Sequence, residues 1–185
     1  MARRTDAARN AELLLAAARE LLSEHGPEVA LDRIARRAGV GNATLYRHFP
    51  TRADLLIAVY EDEVADLCAA GAALASAPDP AEALFGWLES LAVHIESKGA
   101  LAFTGTEAHA DRRTALFDRW HASIRATAER LFDRARAQGA IRDGVTVTDA
   151  LALTSAAAGA AGGTDDARRL LGLLRHGMES RRLDP

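Results

Sequence analysis

Between Leu31 and Arg52 the chain reads LDRIARRAGVGNATLYRHFPTR. Its second half collects hydrogen-bonding groups at close spacing: the amide of Asn42, the hydroxyls of Thr44 and Tyr46, the guanidinium of Arg47 and the imidazole of His48, with Arg52 just beyond. No carboxylate interrupts them. Such a set suits a surface lined with phosphate oxygens and base edges. Arg47 is the best placed to read a base, because a guanidinium fork can engage O6 and N7 of guanine together; its competing role is a phosphate contact. Catalytic equipment is missing from the pattern, which has no glycine-rich phosphate loop, no HExxH and no nucleophile–base pair at short range.

Two short helices must position these groups. One spans about Asp32–Ala38, with Leu31, Ile34, Ala35 and Ala38 inward; the other spans about Asn42–Phe49, with Leu45 and Phe49 inward at i, i+4. Gly39-Val40-Gly41 joins them in a turn too tight for an antiparallel pair, so the helices cross steeply as a helix-turn-helix. With Leu45 and Phe49 filling the inward stripe, Tyr46 and Arg47 face outward. A preceding helix from about Thr5 to His25, stopped by Gly26-Pro27, completes a three-helix head of about fifty residues. Residues 1–52 hold nine arginines and no lysine against six acids, a net +3, whereas the whole chain carries −3. A basic head sits on an acidic body.

The remainder also reads as helix. Thr51–Asp54 is a capping-box signal opening a long fourth helix towards Ser76, and Asp79-Pro80-Ala81-Glu82 opens a fifth. Residues 97–111 hold a short sixth helix, about Asp111–Gln138 a long seventh, Thr146–Asp149 the cap of an eighth, and Thr164-Asp-Asp166 the start of a ninth. The expected fold is all-α with about nine helices: a DNA-facing head at 1–50 and a body at 51–185. The composition of 49% apolar and 26% charged residues fits a globular chain. A single cysteine, Cys68, fits a reducing cytoplasm, and no apolar run reaches the roughly 18 residues that a membrane span needs.

The segment VALDRIARRAGVGNATLYRHFPTRADLL resembles the DNA-binding signature of TetR-family transcriptional regulators, over about the first sixty residues. The resemblance implies a homodimer whose heads read a palindromic operator in double-stranded DNA, and whose bodies bind a small-molecule effector that weakens the DNA grip. It assigns base or phosphate contacts to Asn42, Ala43, Thr44 and Tyr46, and phosphate contacts to His48 and Arg52. Arg33 and Arg37 could add to these from the preceding helix, and Arg3 and Arg4 from an N-terminal arm. Two positions depart from the family pattern. Ala30 stands where a hydroxyl residue usually caps the second helix, and Gly41 where a serine often caps the third, a role that Asn42 could take over.

In the body, the family's effector cavity lies among its central helices. The candidate lining residues are Cys68 on the fourth helix, Phe85, Trp87, Leu88, Leu91 and His94 on the fifth, Phe103 in the short sixth segment, Trp120, His121 and Ile124 on the seventh, and Thr154 on the eighth. About half of these should touch a cavity and the rest should be core. His94 would be either a polar anchor in an apolar wall or a hydrogen-bonded histidine beside the core. Close helix approach at Ala152, Ala156 and Ala160, with apolar area from Leu170, Leu171 and Leu174, resembles the family's dimerisation pair. No metal site and no cofactor are expected. Rival readings are a DNA-binding regulator whose body binds a protein partner, and a small helical enzyme, for which nothing in the sequence speaks directly.

Overall fold

The computed structural model describes residues 2–26, 28–98 and 110–180. The helices are α1 (Ala2–His25), α2 (Leu31–Arg37), α3 (Asn42–His48), α4 (Arg52–Ala73) with a 3₁₀ turn at Leu74–Ser76, α5 (Pro80–Lys98), α6 (Ala110–Ala137), α7 (Val147–Ala160) and α8 (Thr164–Met178). Among the described residues the only extended pairing is an isolated bridge between Ile141 and Glu179. The fold is all-α. The short helix expected within 97–111 falls outside the described residues, its flanks belonging to α5 and α6. Among the described residues, no helix is long and apolar enough to cross a membrane.

Three helix starts follow from local side-chain chemistry. At α4, the Thr51 amide donates to Asp54 Oδ2 at 3.0 Å while the Asp54 amide donates to Thr51 Oγ1 at 3.1 Å. Thr146 and Asp149 close the same reciprocal box at α7. Asp79 Oδ1 accepts from the amides of Ala81 and Glu82 at 3.0 Å each, ahead of Pro80 in the first turn of α5. Each such cap stabilises its helix by about 1 kcal/mol. The N-cap of α8 is instead Gly163, with no side-chain cap. Asp166 reaches back from the first turn to accept from the Gly162 amide at 3.2 Å.

Two compact units divide the chain, and the boundary between them falls inside α4, after Glu63. The first unit holds α1–α3 and the opening turns of α4. Its core joins Leu14, Ala18, Leu21 and Leu22 of α1, Ile34 and Ala35 of α2, Leu45 of α3, Phe49, and Leu55, Leu56 and Val59 of α4. Each fully buried leucine or isoleucine there contributes about 1.5–3 kcal/mol. An ion pair between Arg19 and Asp62 at 2.6 Å links α1 to α4 within this unit. Because α1 already begins at Ala2, Arg3 and Arg4 stand in its first turn, not in an arm ahead of it.

In the second unit α5 packs against α6, α7 and α8. It buries Leu84, Phe85, Trp87, Leu88, Leu91 and Ala92, and α6 buries Trp120, Ile124, Ala128, Leu131, Phe132 and Ala135. The tightest approach is at Gly71 of α4. A Cβ there would lie 2.7 Å from Trp87 Nε1 and nearer still to Thr127 Cγ2. Glycine is thus required by space, not by backbone angle. The same indole donates to the Leu67 carbonyl at 2.9 Å, so one side chain both seals and ties the α4–α5 contact. At the far end, Arg175 of α8 pairs with Glu82 at 2.6 Å and Glu179 at 2.7 Å, its guanidinium 4.9 Å from the centre of the Phe85 ring.

Candidate nucleic-acid interface

Four residues, Ala38 to Gly41, carry the chain from α2 to α3. The Gly39 amide donates to the Arg36 carbonyl at 3.1 Å and the Val40 amide to the Ala35 carbonyl at 3.0 Å. These two bonds form a Schellman closure, which needs a left-handed residue; Gly39 supplies it at φ 70°. Val40 then packs against the core of the head. Gly41 is extended and its carbonyl accepts from the amides of Thr44 and Leu45 at 2.9 and 3.2 Å, starting α3. Neither Ala30 nor Gly41 supplies a side-chain cap. Asn42 does not take over that role, because it stands inside the first turn of α3 with its side chain exposed.

α3 has only two turns, so its orientation is set by what it buries. Leu45 is 1% exposed and Phe49 8%, whereas Tyr46 is 51% exposed. Asn42, Ala43 and Arg47 are exposed with it, and Thr44 and His48 are half-buried at the edges. The sequence-expected outward face is therefore assembled on one short helix.

The flanking arginines have partners within the head. Arg33 donates to His25 Nε2 at 2.6 Å. Arg36 pairs with Asp32 at 2.9 Å, and Arg37 pairs with Glu20 through both ends of its fork. Arg52, the first residue of α4, donates from Nη2 to the Val29 carbonyl at 2.8 Å. Sequence alone suggested phosphate roles for Arg33, Arg37 and Arg52 and gave no sign of these internal contacts, which join residues 8, 17 and 23 positions apart.

A family profile described as bacterial regulatory proteins, tetR family, matches residues 14–59. A second, described as the C-terminal domain of SbtR-like transcriptional regulators, matches residues 79–180, more than half of the chain. The chain belongs to the TetR family. A TetR transcriptional regulator from Streptomyces coelicolor is 34% identical, with a TM-score of 0.75 over 92% of this chain and 99% of that one. An HTH-type transcriptional regulator of Staphylococcus aureus is 37% identical over 62 residues, which are 33% of this chain and 34% of that relative. SmeT, the repressor of the Stenotrophomonas maltophilia multidrug efflux pump SmeDEF, shares the fold at 20% identity and a TM-score of 0.61, covering 95% of this chain and 93% of its own. SmeT also has a solved complex with triclosan.

In this TetR-family body the residues expected around an effector divide sharply. Phe85, Trp87, Leu88, Leu91, Trp120, Ile124 and Thr154 are buried, and Cys68 and His94 are half-buried. His121 is exposed, so it belongs to no interior wall of the described unit. Phe103 lies outside the described residues. Two members have core partners: Trp87 donates to Leu67, and Thr154 Oγ1 donates to the Ala150 carbonyl one turn back at 2.8 Å.

The expected dimer face needs one correction. Ala152, Ala156 and Ala160 are exposed along one side of α7, and Leu170 and Leu174 are half-buried on α8. Leu171, however, is 2% exposed and points with Ala167 and Met178 into its own unit. Steps of four and seven residues put these three on one side of α8, while Leu170, Leu173 and Leu174 share another. Leu173, not counted in the expected dimer face, is 62% exposed and is the most accessible large apolar side chain among the described residues.

Proposed function

We propose that the chain is a transcriptional repressor, which binds a palindromic operator as a homodimer and leaves it when a small-molecule effector occupies the body. The observation that carries this reading is the face of α3: Asn42, Tyr46 and Arg47 stand outward on a helix whose opposite side, Leu45 and Phe49, is locked into the head. The net +3 of residues 1–52 supports attraction to phosphate. The exposed alanines of α7 and the exposed Leu173 of α8 support self-association, and two equivalent heads match half-sites about one helical turn apart or a multiple of it. A small-molecule effector is supported by the apolar, aromatic lining candidates of α5 and α6, and by SmeT sharing the fold and having a complex with triclosan. The reading places the protein in the cytoplasm with its DNA and gives it no catalytic role.

Selection from a randomised duplex pool at moderate salt tests it. The purified chain should enrich a palindrome, and Arg47→Ala should relax preference at one base pair per half-site by about 1–3 kcal/mol. Tyr46→Ala should weaken binding as well. A chain that enriches no sequence would end the proposal.

A further inference from the structure

Arg52 sits where a basic group at the start of a helix is costly, because the helix dipole is positive there. An anion from outside would relieve that cost, which is the argument for a phosphate contact. The structure supplies relief from inside instead. Arg52 Nη2 donates to the Val29 carbonyl at 2.8 Å, and this bond is partly buried. Val29 itself is 6% exposed in the head core and immediately precedes Ala30, the N-cap of α2, which has no side-chain cap.

The bond spans 23 residues and closes a ring. From Val29 the chain runs through α2, across the Gly39–Val40 closure and along α3. It then passes Phe49 and the Thr51 cap back to Arg52. Every corner of that ring is fixed: the α2–α3 turn by two backbone bonds, α3 by Leu45 and Phe49 in the core, the start of α4 by the Thr51–Asp54 box. At the Val29 corner, where Ala30 begins α2 without a capping side chain, Arg52 supplies a long-range tie.

We infer that Arg52 is a positioning residue for DNA reading, holding the start of α4 against the entrance of α2 and so fixing the set of α3 between them. This rests on the DNA-binding reading above. A guanidinium suits the task because its rigid planar fork directs its donors.

The test uses the full chain with Arg52→Gln and Arg52→Lys, the duplex that the unaltered chain selects from a random pool, and a scrambled duplex of equal length. Failure of the selection itself would strike the DNA-binding reading, before Arg52 is in question. With a selected duplex in hand, Arg52→Gln should lose about tenfold in affinity for it while its affinity for the scrambled duplex holds, because only the fit to base edges is disturbed. The slope of log affinity against log salt should not change. Arg52→Lys, whose ammonium can still donate to a carbonyl, should recover part of the loss. An equal loss on both duplexes, with a salt slope lower by about one, would make Arg52 a phosphate contact and overturn the inference. So would unchanged affinity on the selected duplex, measured where circular dichroism shows the variant folded, since that would leave Arg52 a role in stability alone.

Discussion

Replacing Gly71 by alanine tests the packing of the body at its narrowest point. A Cβ on Gly71 would lie 2.7 Å from Trp87 Nε1 and 3.1 Å from Cδ1, and closer again to Thr127 Cγ2, where carbon atoms settle at about 3.5–4.0 Å. All three neighbours are hemmed in, because Trp87 is 1% exposed and Thr127 is 1% exposed. Either α4 backs away or the indole turns and surrenders its bond to the Leu67 carbonyl. Overpacking of this kind costs about 1–3 kcal/mol, and an orphaned buried indole N–H about 1–3 kcal/mol more. Against that, alanine favours the helix by about 1 kcal/mol over glycine. The net is a loss of about 3 kcal/mol, equivalent to a Tm lower by roughly 6–12 °C in a chain of this size. Denaturant titration followed by tryptophan fluorescence and circular dichroism would measure it. Gly86→Ala is the control: it lies within α5 and a Cβ there meets nothing within 4 Å, so it should stabilise by up to about 1 kcal/mol. Thr127→Ser removes the nearest methyl, and the Gly71→Ala/Thr127→Ser pair should couple favourably by about 0.5–3 kcal/mol in a double-mutant cycle. If Gly71→Ala unfolds at or above the denaturant midpoint of the unaltered chain, the close approach is not what makes glycine necessary.

Further outcomes follow from other contacts. Ala30 has the extended backbone of an N-cap, φ −67° and ψ 135°, without the acceptor, so Ala30→Ser should stabilise the head by about 0.5–2 kcal/mol; no gain in the thermal transition would mean that the α2 start is already satisfied. Leu173→Glu should shift the chain towards monomer in sedimentation at micromolar concentration without lowering the monomer's own stability, and an unmoved sedimentation coefficient would remove α8 from the interface. The hydrogen bond from Arg175 holds the Glu82 carboxyl below its ordinary value of 4.5, so the folded chain takes up that proton less readily than the unfolded one. The stabilisation from this pair is therefore complete above the ordinary value and fades as pH falls through and below it. The stability difference between the unaltered chain and Glu82→Gln should be flat near neutral pH and shrink below 4.5; a difference that persists undiminished in acid would refute it.

What the sequence disclosed and what it hid divide by range. The caps at Thr51–Asp54, Asp79 and Thr146–Asp149 could be seen in advance because donor and acceptor lie two or three residues apart. The Leu45–Phe49 stripe was visible for the same reason, and with it the outward face of Tyr46 and Arg47. On α8 the leucines are so dense that periodicity alone left open which face was inward, hence the mistaken assignment of Leu171 and the omission of Leu173 from the expected dimer face. His121 shares α6 with the buried Trp120 and Ile124, yet is itself exposed. Nothing local marks Gly71, which stands in the small-residue run Cys68-Ala-Ala-Gly-Ala, because the space it must leave is filled by α5 and α6. The Arg52–Val29 bond is likewise a product of tertiary folding.

The four-residue passage from α2 to α3 also limits how this head can change over time. Two backbone bonds close it, and a residue added or removed there would break that closure, on which the placing of Val40 against the core and the start of α3 depend. Insertions and deletions there are closed as routes to a new binding preference. Substitution at Asn42, Ala43, Tyr46 and Arg47 stays open, because those side chains carry none of the burial that holds the helix in place. On the proposed reading, that surface is an interchangeable cassette on a fixed mount, and a designer wishing to retarget the protein could vary four positions while leaving the frame untouched.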